Sequence, residues 1–342
     1  MRKIIQYILM LVLIICAAAL AGDTPNGKFS GYMFGDYYWV AANHRSSIQD
    51  MNGFWLRRIY FTYDRDMTNG FSTRLRFEMS QPGDFKTSAT AKPVVKDAYL
   101  KYNTGRTQIL LGISPTPTWD LIEHTWGYRS VEKTPLDLQK FGSSRDFGLA
   151  IKGKLDKGGK ADFHFMLANG NSNKSETNKG KKVMLAIGLH PTSHVILQAY
   201  GDWNDNPGSN DWYTVQGFAA YKNKKVRVGV QYAHQVRNVA GGSDLNLDLA
   251  SFFAVLKTGP KTALFGRVDH SFDPNPRGEG ISYIPFDKTA ESTFIVGGFD
   301  LTPIPDVHLM PNVELVVYGQ NHFGITPDTD VIPRVTFYYK FK

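Results

Sequence analysis

The residues with the clearest chemical potential are basic ones that recur at alternate positions. Arg74 and Arg76 lie in residues 71–80, where apolar and polar side chains alternate. Because successive side chains of a β-strand point to opposite faces, both guanidinium groups should share one face. A row of fixed positive charge attracts anions. The same phase in neighbouring segments completes a candidate anion-binding set: Arg58, Arg74, Arg76, Lys101, Arg267 and Arg334.

Eight acidic residues share this face with nine basic ones, which are the six above together with Lys152, Arg227 and Lys340. Ion selectivity arises from rings of one sign, so near balance predicts only a mild preference. The whole chain carries a formal net charge of +8, spread over many segments instead of one stripe. This spread disfavours nucleic acid as a partner and favours small anions or phosphorylated lipid. The acidic residues in phase are Asp64, Glu78, Asp97, Asp146, Asp162, Asp202, Asp269 and Glu314.

A second candidate set lies in residues 115–144, the longest stretch between two strand-like segments. It combines both signs of charge with large aromatic rings, and long loops of this kind are often functional. Asp120 and Glu123 are expected to face Arg58, Arg74 and Arg76, which would create a transverse field. The set comprises Trp119, Asp120, Glu123, Trp126, Tyr128, Arg129, Lys133 and Lys140.

Catalytic and metal-binding patterns are weak in this sequence. Ser143, Ser144, His124 and Asp146 are present, but without a Gly-x-Ser-x-Gly elbow. The nine histidines are scattered, and none forms a pair at metal-binding spacing. The sequence therefore predicts neither an enzyme nor a resident metal or cofactor.

The elements that position these residues are short alternating segments. Sixteen of them follow the N-terminal leader, each about ten residues long. Seven tight turns alternate with eight longer loops rich in Asn, Gly, Pro and Asp. This pattern predicts an all-β fold: a 16-stranded antiparallel transmembrane β-barrel with short periplasmic turns, long extracellular loops and an inward-folded third loop. The expected location is the outer membrane of a Gram-negative-type bacterium.

Residues 1–21 have the features of a signal peptide. Arg2 and Lys3 precede an apolar run, and Ala19-Leu20-Ala21 fits the cleavage pattern before Gly22. A lipidated Cys16 is a weaker alternative because Ile15 precedes it. Cys16 is the single cysteine, so cleavage would leave no disulfide or Cys-ligated zinc. Residues 22–342 then form one barrel domain, with residues 115–144 as a candidate constriction loop.

Aromatic residues near the predicted strand ends are expected to form the girdle at the membrane interface. Arg57 is the exception to this pattern, because it must face lipid if Arg58 faces the lumen. We therefore expect it at the outer rim or in a subunit contact. The final strand ends in Phe341, as outer-membrane barrels often do, although Lys342 follows it. The girdle residues are Tyr37, Trp39, Trp55, Phe61, Tyr63, Trp203 and Tyr339.

Several short segments resemble the phosphate-selective porin O and P family of outer-membrane porins. They include residues 53–58 (GFWLRR), 97–100 (DAYL), 112–115 (GISP), 145–148 (RDFG), 273–276 (DPNP) and 311–314 (PNVE). The resemblance extends over most of the chain after the leader. It implies the porin fold, passive diffusion of solutes, a homotrimer and an anion preference that includes phosphate.

Three functional interpretations follow. The first is a water-filled channel for passive diffusion of small hydrophilic solutes, with anions such as phosphate as one option. Its barrel would be in contact with outer-membrane lipid and lipopolysaccharide. The second is a structural barrel plugged by its own loops, with residues 119–128 as a seal. The third is a nutrient channel in which Trp119, Trp126 and Tyr128 guide sugar rings.

Overall fold

The computed structural model describes residues 27–341, so the expected signal peptide and Cys16 lie outside the described residues. Sixteen strands, two short α-helices and two 3-10 helices (Ser46–Ile48 and Gly278–Gly280) follow one another along these residues. The strands are β1 Gly27–Trp39, β2 Asn52–Asp66, β3 Phe71–Ser80, β4 Lys92–Asn103, β5 Thr107–Pro115, β6 Arg145–Lys154, β7 Ala161–Ala168, β8 Lys182–Leu189, β9 Val195–Asn204, β10 Trp212–Lys222, β11 Val226–Arg237, β12 Leu245–Gly259, β13 Thr262–Ser271, β14 Ser292–Ile304, β15 Val307–Tyr318 and β16 Asp330–Phe341.

The strands form one closed antiparallel barrel. Each strand pairs with its neighbours in sequence, and β1 also pairs with β16, from Gly31 opposite Phe341 to Tyr38 opposite Arg334. Closure leaves no sheet edge, so every strand can satisfy its backbone groups within the sheet. The expected 16-stranded barrel, with seven short turns at one end and eight longer loops at the other, is confirmed.

No helix within residues 27–341 is both long and apolar enough to span a bilayer.

The outer face of the barrel is apolar. On β3, Phe71 and Leu75 are 38% and 39% exposed, whereas Arg74 and Arg76 point inward. On β16, Val335 and Tyr339 are 46% and 40% exposed and also point outward. An apolar band outside a closed antiparallel sheet is the arrangement of a barrel that spans the outer membrane. Of the expected girdle, Tyr37, Trp39, Phe61, Trp203 and Tyr339 are exposed on the outside.

A β-bulge on β2 changes the face of the sheet to which the side chains in the first half of the strand point. Phe34 pairs with Arg58 and Gly35 pairs with Leu56, which leaves Arg57 as the extra residue. Two adjacent residues can then point to the same face. The expectation that Arg57 faces lipid is therefore wrong: it lies inside the barrel and is 1% exposed. Trp55 moves with it, and its ring stacks inside on Tyr38 at 4.0 Å instead of joining the girdle.

The inner face of β9–β13 is less polar than a wet barrel wall. Leu247, Leu249, Phe253 and Val255 alternate along β12 and are at most 4% exposed, although they point inward. They pack against the long segment between β5 and β6, residues 116–144, which we call loop 3. This side of the interior is therefore filled by packed side chains over much of its length.

The outward face can be tested with one charge. Leu185 lies in the middle of β8, 41% exposed. Leu185→Arg should lower the free energy of unfolding in lipid vesicles by about 2–4 kcal/mol, because a midplane arginine must leave water. Phe323→Arg, on the loop between β15 and β16, is the control and should change it by less than about 0.5 kcal/mol. Equal losses in both variants would contradict the membrane assignment.

Candidate constriction and pore lining

Loop 3 folds into the barrel instead of covering its end. It contains two helices, α1 (Trp119–Trp126) and α2 (Pro135–Leu138), where sequence reasoning expected no regular structure. α1 follows Thr118 and ends at Gly127, whose left-handed φ of 76° lets its N–H bond to the Glu123 carbonyl at 2.8 Å. Glycine takes this conformation without strain, which allows a sharp end to the helix.

The two faces of α1 have different surroundings. Trp119, Ile122 and Trp126 share one face by helical spacing and are at most 3% exposed. They contact the inner wall, where Trp119 meets Tyr200 and Trp126 meets Phe253. Asp120 and Glu123 lie on the other face, with side chains 39% and 30% exposed. The helix thus presents carboxylates to the open side of the interior and rings to the dry side.

Tyr128 is also buried, 4% exposed, with its ring stacked on Phe265 and its hydroxyl donating to Asp300 at 3.2 Å. Of the three aromatic side chains expected to guide sugar rings, Trp119 and Trp126 do not line the cavity inside the barrel, and Tyr128 lines it with only 4% of its surface exposed. Their apolar area is already covered by the barrel wall, which removes the observation that favoured a sugar slide.

Hydrogen bonds from several strands hold loop 3 in place. The Thr118 hydroxyl donates to Gln198 of β9 at 2.7 Å. Gln235 of β11 donates to the Phe141 carbonyl at 2.7 Å, and Arg267 of β13 donates to the Lys133 carbonyl at 2.6 Å. These contacts run along one side of the barrel, so the loop is anchored over its whole length.

Arg57 anchors loop 3 from the opposite side. Its guanidinium donates to the Val131 carbonyl at 2.6 Å and to Glu132 at 2.7 Å, and it lies 3.3 Å from Asp36. Arg334 continues the network with bonds to Asp36 at 3.1 Å and Glu314 at 2.8 Å. All five side chains are at most 3% exposed. Buried charges of this kind persist only when paired, so the network fixes the position of the loop.

This burial corrects the expected role of two arginines. Arg267 is 2% exposed and pairs with Asp269 at 2.9 Å, and Arg334 is 3% exposed. Both lie inside the barrel, as phase predicted, but loops cover them. They are anchors for those loops and are not exposed to a passing solute.

Arg58, Arg74 and Arg76 lie on the wall facing the carboxylate side of α1, each beside an acid of the wall itself. Arg74 makes a two-point contact with Asp64 at 2.7 and 2.9 Å. Arg58 lies 3.1 Å from Glu78, and Arg76 lies 3.3 Å from Asp97. Asp120 and Glu123 instead pair with Arg145 at 3.2 Å and Arg129 at 3.4 Å. The expected transverse field is thus largely neutralised, because each of these charged groups has a close partner of opposite sign.

Two lysines on this wall lack such a partner. Lys101 of β4 and Lys152 of β6 have no carboxylate within 4.0 Å among residues 27–341. Both lie near the turn end of their strands, and their side chains are partly exposed. Because neither ammonium group is in an ion pair, these two lysines contribute positive potential that the paired arginines do not.

At the turn end the interior opens into a cavity of about 830 Å³. Its lining contains seven basic residues against two acidic ones, Glu123 and Asp300. We call this cavity the basic vestibule. Most of its charge comes from turns and strand ends, which strand phase alone does not assign to the lumen. The basic residues are Arg129, Lys224, Lys225, Arg227, Lys257, Lys261 and Lys340.

Charges within loop 3 titrate away from their ordinary ranges. Burial raises the pKa of Glu123, and Arg129 only partly opposes it. Burial also raises the pKa of Asp120, but the nearby positive charges of Arg145 and His124 outweigh this effect. The pKa of Asp120 therefore lies below its usual value. Burial lowers the pKa of Lys133 to about 8, although Glu132 and Asp137 favour its charged form. Lys140, less enclosed, donates to the Gly280 carbonyl.

Sequence reasoning missed Arg145 and the role of Arg57. Arg145 opens β6, where it contacts both Asp97 and Asp120 and joins the wall to α1. Arg145 directly follows the constriction stretch in the sequence, and this position could have identified it as a candidate. Arg57 could not be assigned, because a bulge leaves no mark in the alternation of apolar and polar residues.

Comparisons with known proteins agree on the fold. A porin described as anion-selective, from Comamonas acidovorans, superposes with a TM-score of 0.69 at 10% identity, covering 92% of this chain and 99% of that one. The outer membrane channel DcaP of Acinetobacter baumannii gives 0.67 at 12%, covering 92% and 97%. A trimer form of OmpT of Vibrio cholerae gives 0.64 at 12%, covering 93% and 100%.

No protein-family model and no curated protein matches the sequence. At these identities the similarity establishes the fold of outer-membrane porins and channels. It does not confirm the narrower resemblance to phosphate-selective porins O and P.

The anchor of loop 3 can be tested through Arg57. Arg57→Met removes the cation between Asp36 and Glu132 and should lower the free energy of unfolding by about 3–5 kcal/mol, since uncompensated carboxylates remain buried. Arg74→Met is the matched control. Its pair with Asp64 is partly exposed, so the loss should be about 0–1 kcal/mol. Similar losses in urea unfolding would show that Arg57 is not an anchor.

Lys133 gives a pH test. Its pKa is about 8 in the folded protein and near the ordinary lysine value of 10.5 in the unfolded chain. Between these values the unfolded state binds more protons, so stability should rise with pH from about 8 to 10.5. Lys133→Met should lack this rise when unfolding is followed across that window. Parallel profiles for the two proteins would rule out a depressed pKa at Lys133.

Proposed function

We propose that this protein is an outer-membrane porin, a water-filled channel for passive diffusion of small hydrophilic solutes with a preference for anions, phosphate among them. The observation that carries the proposal is the basic vestibule, with its seven basic and two acidic lining residues. A surface of one sign in a confined aqueous space raises the local concentration of the opposite ion.

Lys101 and Lys152 extend this preference along the wall. They lie beyond the vestibule on β4 and β6, facing the carboxylate side of α1. Asp120 pairs with Arg145 and lies more than 4.0 Å from either ammonium group, although its charge still acts on Lys152. Lysine and arginine groups bind phosphate oxygens through charge-assisted hydrogen bonds, but here they are spread out. Spread cations favour transient attraction, which suits passage better than tight capture.

The proposed surroundings are outer-membrane lipid and lipopolysaccharide, and the proposed assembly is a homotrimer. A trimer form of the OmpT barrel of Vibrio cholerae, which has a similar fold, supports this assembly. Native mass spectrometry of the detergent-extracted barrel measures it directly. Three chains in one complex are expected, and a monomer alone would remove the trimer from the proposal.

The anion preference can be measured as a zero-current potential in planar bilayers under a salt gradient. The wild-type barrel should show stepwise conductance and a potential on the anion-selective side. The double variant Lys225→Glu/Lys257→Glu changes the vestibule from seven basic and two acidic residues to five and four. Its potential should shift toward the cation-selective side.

Lys174→Glu is the matched control, since Lys174 lies exposed on the loop between β7 and β8, at the other end of the barrel. It should leave the potential within experimental error. Absence of any conductance would favour the plugged structural barrel. Conductance with equal shifts in both variants would keep the channel and refute the vestibule as its selectivity element.

A further inference from the structure

We propose that His44, Glu279 and Asp287 form a binding site for one divalent transition-metal ion of the Zn²⁺ type at the outer mouth of the barrel. His44 lies in loop 1 (residues 40–51), and the two acids lie in loop 7 (residues 272–291). One ligand atom from each residue lies within 4.8 Å of the others. An imidazole nitrogen with two carboxylate oxygens is a ligand set found in zinc sites that keep an open position.

The His44 ring is held in place from its Nδ1 side. Its Nδ1 lies 2.9 and 3.0 Å from the two carboxylate oxygens of Asp330, which also accepts the His44 backbone N–H at 2.7 Å. A proton on Nδ1 shared with this carboxylate leaves the lone pair on Nε2. A carboxylate behind the ring fixes the tautomer and raises the basicity of the coordinating nitrogen.

The free nitrogen is the observation that points to a ligand. The His44 side chain is 4% exposed, and its Nε2 is buried without a hydrogen-bond partner among residues 27–341. A buried polar atom left unpaired costs roughly 1–3 kcal/mol, so such atoms usually have a partner that completes them. A metal ion placed between Nε2 and the two carboxylates would provide that partner.

The surrounding structure holds the ligands from two parts of the chain. Backbone bonds of 2.9 Å between Ala41, Ala42 and Val331 attach loop 1 to the start of β16, beside Asp330. The Tyr318 hydroxyl donates to Asp330 at 2.6 Å and accepts the Asp287 backbone N–H at 3.2 Å. The ring of Tyr318 thus links the histidine side of the site to the acidic side.

The carboxylates retain free oxygen atoms. Thr289 donates twice to Oδ1 of Asp287, both at 2.6 Å, which leaves Oδ2 available. Glu279 is 39% exposed and lies 3.7 Å from Arg45, a loose contact that a metal ion can displace. Ligand atoms around zinc lie about 2.0–2.2 Å from it, so the exposed Glu279 side chain must move inward to close the set.

A bound ion would couple the outer mouth to the constriction. Loop 7 also contacts loop 3, because Asn275 donates to the Gln139 carbonyl at 2.8 Å. An ion joining loops 1 and 7 would therefore stiffen the covering over the passage. Sequence spacing conceals this set, since its members come from opposite ends of the chain.

The test uses the refolded full barrel without a polyhistidine tag, stripped with EDTA and titrated with ZnCl₂. Elemental analysis after dialysis should give one Zn²⁺ per chain, and the melting temperature should rise with Zn²⁺ because only the folded state holds the site. His44→Gln and Glu279→Gln should each lower the affinity at least about tenfold. In a parallel titration with CaCl₂, the affinity for Ca²⁺ should be far lower, because imidazole nitrogen is a better ligand for Zn²⁺ than for Ca²⁺.

His322→Gln and Glu176→Gln, two residues on other outer loops, are the matched controls and should retain wild-type affinity. Barrel folding in every variant is checked by circular dichroism, so a loss of binding is not confused with misfolding. The proposal is overturned if the wild-type barrel binds no stoichiometric Zn²⁺, or if His44→Gln binds as tightly as His322→Gln.

Discussion

The absence of water in the bilayer core is the constraint on which this structure depends. No lipid molecule can satisfy a backbone N–H or C=O group, so the sheet must close on itself, and β1 pairs with β16 to do so. Closure sets the alternation of side chains, apolar toward lipid and polar toward the interior. The positions of the charged residues inside the barrel depend on this closed wall.

The interior of the wall is divided by loop 3. Its aromatic residues pack against β9–β13, where the inner face carries leucine and phenylalanine. A network of paired charges around Arg57 and Arg334 holds its far side. Removing water from these ions is costly, and only close pairing compensates for it. These ion pairs therefore fix the position of the loop, and the basic vestibule lies between the loop and the walls of β1 and β11–β16.

The net charge inside the barrel depends on which charged side chains are in ion pairs. Arginines in the middle of the wall face acids on neighbouring strands and contribute little net field. Lys101, Lys152 and the lysines of the turn end lack close carboxylates within the described part of the chain. Counting charges along the strands suggests balance, whereas the turns and strand ends produce the positive excess.

Much of the fold was predictable from the sequence, because the two-residue period is a local property. Strands β3 and β15 begin and end where the alternation predicts, and the inward position of loop 3 follows from its length and place. The facing of Arg57 and Trp55 was not predictable, since it depends on a bulge set by pairing with Gly35. Loop 7 and the His44 cluster depend on contacts between distant segments, which no local pattern records.

The central claim is that solutes pass through the basic vestibule, which Lys257 lines. Single-channel recording of Lys257→Cys, in a chain that starts at Gly22 and therefore lacks Cys16, tests it directly. The account predicts stepwise conductance that falls when an anionic methanethiosulfonate reagent modifies the new thiol, because the added charge and bulk enter the path. Unchanged conductance after complete modification, verified by mass spectrometry, would contradict the proposed path.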